Sequence, residues 1–162
     1  MSEVSKWAGS FSAQREMATV AAYIKYREIE GYKYQLMERY VHETGWALPK
    51  SVQTGGRWVA LSRTGRLTFK KGYAWDGPSG PTIDTKSFMR GSLVHDGCYQ
   101  LMRERLLPQQ KRKPADVLLW LICTEDGMSR TRADYVYHAV RALGGRAARP
   151  KKKPQPVIIK AP

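Results

Sequence analysis

The chain has 162 residues, 42% of them hydrophobic, with 28 Lys and Arg against 14 Asp and Glu and a formal net charge of +14. That length and apolar content describe a globular domain able to bury a core and exclude a disordered chain. No apolar run approaches the roughly 18 residues of a membrane span, and the charge favours anionic partners or a solubilising surface.

The first residues, MSEVSKWAGSFSAQ, contain no apolar stretch of the kind a secretory leader needs, which argues against a signal peptide. Residues 1–12 are polar and rich in small side chains, as a loosely ordered N-terminus is. Met17, Val20, Ala21 and Ile24 fall on one face of a helix over 13–24. From Tyr23 the composition turns aromatic and β-branched. YIKYREI and YKYQLMERYV predict strands with a hairpin at Glu30–Gly31, and 57–62 with 66–70 predict a second pair turning at Thr64–Gly65. Together they predict one small antiparallel sheet.

Residues 72–81 form a Gly- and Pro-rich loop, after which Asp84 or Thr85 can cap a helix. Phe88, Leu93, Val94, Cys98, Leu101 and Met102 recur at helical spacing, and Leu107–Pro108 ends that helix. Pro114 suits the first turn of a second helix that stops at Gly127. Its stretch 117–123 is apolar nearly all round, so it should be the most buried helix. A third, over 132–143, stops at Gly144–Gly145. The fold class is therefore α+β: a small antiparallel β-sheet in the N-terminal half packed against three α-helices in the C-terminal half. The domain spans 13–145. Residues 146–162 make a basic, proline-rich tail carrying Arg146, Arg149, Lys151, Lys152, Lys153 and Lys160 with no acid among them.

The constellation suited to chemistry is His95 beside Asp96 on the first helix. Neighbours on a helix point about 100° apart, so the two cannot serve each other as base and orienter. His95 is the natural general base near neutral pH, and Asp116, at the start of the second helix, is the candidate to orient it if the helices run antiparallel. Asp96 can hold a hard cation together with backbone carbonyls of the preceding loop, and Tyr99, one turn on, can brace either group. In that geometry Cys98 and Cys123 lie roughly 15 Å apart along the helices. A disulfide needs Cα atoms within about 7 Å, so two free thiols are expected. The same carboxylate at Asp116 is also favoured near a helix start by the backbone dipole alone. His42 and His138 carry no assigned role.

HDGCY at 95–99, preceded by a glycine-rich loop and followed by a helix bearing Asp116, resembles the active-site arrangement of the phospholipase A2 family. The resemblance implies His95 as base, Asp116 as its orienter, Tyr99 as hydrogen-bond support and Asp96 as a calcium ligand. Loop residues in the stretch 75–80, among them Trp75, Asp76, Gly77 and Gly80, would face the calcium ion. The secreted enzymes of that family have a cysteine in this loop, and here there is none.

From about residue 32 to 144 the sequence is also similar to an uncharacterised family of phage and prophage proteins. It shares a WDGPSGP loop (75–81), an SLVHD helix (92–96), an Ala115–Asp116 helix start and an AVRxxG ending (139–144). This implies a phage or prophage origin, in a bacterial host cytoplasm or on a virion. Three functions stand open: calcium-assisted hydrolysis of phospholipid esters at an anionic membrane surface, a non-catalytic role among other virion proteins, or nucleic-acid binding through the basic tail.

Overall fold

The computed structural model describes residues 23–77 and 85–150. Among the described residues seven short strands precede four helices: β1 (Tyr26–Glu28), β2 (Tyr34–Leu36), β3 (Tyr40–Glu43), β4 (Val52–Gln53), β5 (Val59–Leu61), β6 (Arg66–Phe69), β7 (Ala74–Trp75), then α1 (Lys86–Arg103), α2 (Arg112–Glu125), α3 (Arg130–Leu143) and α4 (Gly145–Ala148). The class is α+β, as expected. Residues 1–22, with most of the helix expected at 13–24, lie outside the described residues, as do Gly80, Asp84 and the tail beyond 150; Tyr23 and Ile24 are not helical.

The strands form two antiparallel sheets where one was expected, ordered β1-β2-β7 and β3-β6-β5-β4. Both expected hairpins are present, with Gly31 at φ +87° and Gly65 at φ +88° in their turns. Gly65 is doubly required, because a Cβ there would stand 2.5 Å from the Trp46 carbonyl oxygen. The sheets separate because the chain bends after Leu36, whose N–H bonds the Tyr73 carbonyl, while Tyr40 resumes opposite Phe69 in the other sheet. Part of the glycine-rich loop is itself a strand: Trp75 lies opposite Tyr34 in β7.

Thirteen of the eighteen residues of α1 are buried, so α1, and not α2, is the central helix. It lies between the sheets and α2, burying Leu93, Val94, Cys98 and Leu101 among Leu36, Val59, Phe69, Leu118 and Ile122. Each large aliphatic side chain so placed contributes about 1.5–3 kcal/mol. Two glycines allow the close approach on each side. A Cβ at Gly97 would stand 2.4 Å from Phe69 Cε1, and one at Gly91 would stand 2.7 Å from Cys123 Sγ. A second cluster, including Phe88, Trp120, Val136 and Tyr137, packs α2 against α3.

The helix ends depart from expectation in detail. Thr85 occupies the cap position of α1, but its hydroxyl bonds the Ser87 hydroxyl at 3.1 Å rather than a backbone N–H. Helix α2 begins two residues before Pro114, which sits where the backbone N–H has no intrahelical partner to lose. It stops at Gly127 as expected, in the left-handed conformation. Beyond Gly144 the chain forms α4 and buries Ala148, so packing continues past the expected start of the tail.

Candidate functional site

Helices α1 and α2 run antiparallel, since Arg90 near the start of α1 meets Glu125 and Asp126 at the end of α2, while Tyr99 meets Asp116 near its beginning. This places His95 and Asp116 opposite each other. His95 Nε2 lies 2.8 Å from Asp116 Oδ1, and the Tyr99 hydroxyl donates to the same oxygen at 2.7 Å. The His95 and Tyr99 rings are 4.0 Å apart between centroids, which fixes the imidazole plane.

Two arginines complete the arrangement, and neither was singled out as a site residue from the sequence. Arg141 of α3 donates to Asp116 Oδ2 at 2.8 Å. Arg112, one turn before Asp116, donates from Nε to the Tyr99 hydroxyl at 3.2 Å and from its terminal nitrogen to the Val140 carbonyl at 3.0 Å and to the Arg141 carbonyl. Asp116 is fully buried, yet both its oxygens are satisfied from helices α1 and α3. Arg141 did carry a sequence signal, as the arginine of the AVRxxG ending; Arg112 sat in an undistinguished basic connector.

The network sets the charge states. Burial alone would push the Asp116 carboxyl up, but the hydrogen bond and charge of His95, with Arg141 and Tyr99, hold it below the usual carboxylate range. Burial would depress the His95 imidazole, but the hydrogen bond to Asp116 and the negative charges of Asp116 and Asp96 outweigh it, so His95 is raised above 6.5. Because Asp116 is a carboxylate and accepts, a neutral His95 carries its proton on Nε2 and leaves the Nδ1 lone pair as the basic site. Nδ1 lies 3.9 Å from Asp96 Oδ1, beyond hydrogen-bond distance.

Asp96 opens onto a cleft of about 330 Å³ whose described lining includes Tyr73, Trp75, Asp76, Gln100 and Arg103. His95 is buried and is not among the residues that line it. Burial first, and the nearby Asp76 charge, raise the Asp96 carboxyl, against the opposing influence of His95 and Arg103. The residues expected to face a cation divide as follows. Asp96 and Asp76 present side chains to one cleft. Trp75 lines it too, but its indole is buried and donates to Ser92 Oγ at 3.2 Å, so its side chain offers a cation nothing, and its backbone is paired with Tyr34 in the sheet. Gly77 does not line the cleft; it sits at φ +70° with Tyr34 packed where a Cβ would be, which accounts for the glycine structurally. Gly80 lies outside the described residues.

Among the described residues no three His, Cys, Asp or Glu side chains converge as a metal-binding group. The two carboxylates that share the cleft are hard oxygen donors of the type calcium takes, with backbone carbonyls needed to complete a shell. Cys98 and Cys123 are free and buried, with burial pushing each thiol up to about 12. A larger groove, about 730 Å³, runs beside Arg90 at the other end of α1, where that guanidinium is engaged by Glu125 and Asp126.

Fold and site thus define an α+β protein with a buried His–Asp–Arg network and a cleft lined by Asp76 and Asp96. No family model, curated protein or solved structure matches this chain. No described helix is long and apolar enough to cross a membrane.

Proposed function

We propose that the protein is a phage- or prophage-type hydrolase, working in a bacterial cytoplasm or on a virion, that cleaves phospholipid esters at a His–Asp centre with calcium. The supporting observation is the 2.8 Å contact between His95 Nε2 and Asp116, which leaves Nδ1 as the base on the side of Asp96. In this scheme His95 takes a proton from water at Nδ1 as the oxygen adds to the ester carbonyl. Asp116 stabilises the imidazolium, and that proton passes to the departing alcohol oxygen as the C–O bond breaks. Asp96 and Asp76, with backbone carbonyls at the cleft, would hold calcium, which would supply Lewis-acid stabilisation of charge on the carbonyl oxygen. Products are a fatty acid and a lysophospholipid.

The test is hydrolysis of ester-linked phosphatidylglycerol by the purified chain in calcium and in chelator. Calcium-dependent release of fatty acid that falls at least about 100-fold in His95→Gln supports the assignment. Release that survives this substitution overturns it.

A second reading has its own support. Asp116 is satisfied by side chains from helices on both sides, and Arg112 grips the carbonyls at the end of α3, an arrangement that also suits a non-catalytic virion component. An inert wild-type chain recovered from purified particles at fixed stoichiometry would favour it.

A further inference from the structure

The mouth of the Asp96 cleft carries a surface feature that the hydrolytic scheme does not use. Trp58 is 40% exposed at its rim, and Tyr32, 54% exposed, lines the same cleft. Trp58 does not hang loosely from a loop. The turn that presents it is closed by Thr54, whose N–H bonds the Val59 carbonyl at 2.9 Å and whose hydroxyl accepts from the Val59 N–H at 3.0 Å. Within that turn both Gly56 and Arg57 take positive φ, a disfavoured conformation for arginine. Gly56 leaves room at the pyrrole end of the indole, where a Cβ would stand 2.9 Å from Nε1; Gly72 borders its benzo end. The Lys70 ammonium lies over the ring, 5.0 Å from its centre. Lys71 and Arg57 flank it, exposed.

We propose that this corner, Arg57, Trp58, Lys70 and Lys71 with Tyr32 across the cleft, is a docking surface for an anionic lipid bilayer. An indole fixed at a basic corner suits the headgroup layer, where amphipathic rings and cationic side chains are both favoured. Single strands are held by successive bases stacking on a series of rings, whereas Trp58 is a lone indole on this corner with one face already taken by Lys70. Charge complementarity suits either polyanion, and the single half-covered ring favours a membrane over single-stranded nucleic acid. Docked this way, the rim of the cleft meets the lipid surface, so the role of the patch as the substrate's route to Asp96 rests on the hydrolase proposal, while docking itself does not.

The experiment is flotation of the full-length chain, in chelator, with vesicles of ether-linked phosphatidylglycerol and phosphatidylcholine, which offer no ester to cleave. The wild type should float with the mixed vesicles and not with phosphatidylcholine alone. Trp58→Ala should bind about tenfold more weakly, the effect of roughly 60 Å² of indole no longer leaving water, and Lys71→Ala about fivefold. Tryptophan quenching by brominated acyl chains should fall in Trp58→Phe, which retains a ring and so keeps the turn filled. Wild-type flotation unchanged by Trp58→Ala overturns the proposal, as does Trp58-dependent binding to single-stranded DNA tighter than to the vesicles. Trp58-dependent docking without hydrolysis of ester lipids leaves this surface standing and removes the hydrolase; hydrolysis of dispersed short-chain lipid without docking does the reverse.

Discussion

At the scale of single residues the molecule turns on Asp116. It is a charge with no access to water, kept ionised by His95, Tyr99 and Arg141. Removing one member of such a set strands the others, and Asp116→Ala should destabilise the fold by about 3–5 kcal/mol in urea unfolding. The pH dependence has a definite sign. His95 is raised in the folded state, so its contribution is complete below about 6.5 and is lost as pH rises through the folded value. Asp116 is lowered, so its contribution is present above about 3.9 and is lost as pH falls through its folded value. The stability difference between wild type and His95→Gln should therefore be larger at about pH 5.5 than at about pH 8.5. An equal difference at both would mean that the imidazole gains no proton affinity from its partner. His95, Asp96, Tyr99 and Asp116 were legible because HDGCY is a compact pattern and an acid near a helix start is easily marked. The contribution of Arg141 was not, because a long charged side chain on an amphipathic helix reads as solvated surface until the fold shows what it reaches.

At the scale of elements, helical spacing was enough to find three helices, and the glycine turns were enough to find two hairpins. What spacing could not show is that Ala74–Trp75 pairs with β2: a two-residue strand is too short to display alternation, and its Gly/Pro surroundings read as loop. The glycine within HDGCY was equally silent. Gly97 lies in mid-helix, where it costs about 0.8–1 kcal/mol relative to alanine, yet alanine there would place its Cβ against the Phe69 ring. The steric effect should dominate, with Gly97→Ala destabilising by about 1–3 kcal/mol in spite of its better helix propensity. Pairing it with Phe69→Leu should recover part of that loss, seen as a coupling energy in a double-mutant cycle. Additive single effects would show that α1 can shift away from the sheet without penalty.

For the whole molecule the net charge of +14 opposes folding, because compaction brings like charges together. The described ion pairs offset this unequally. Lys25–Glu38 joins two side chains each more than half exposed and is worth little, whereas the contacts of Asp116 are shielded from solvent. Added salt therefore weakens the diffuse repulsion more than it weakens the buried network. Raising sodium chloride from about 0.01 to about 0.1 M shortens the screening length from about 30 to about 10 Å. The melting temperature should rise by about 2–4 °C, the shift that about 1 kcal/mol produces in a chain of this size. Asp116→Asn should melt lower throughout yet show a similar salt response, since the charge it removes is hidden from the ions. A melting temperature that falls with salt would show instead that exposed pairs hold the fold together, and that the excess of cations is tolerated because they stand far apart.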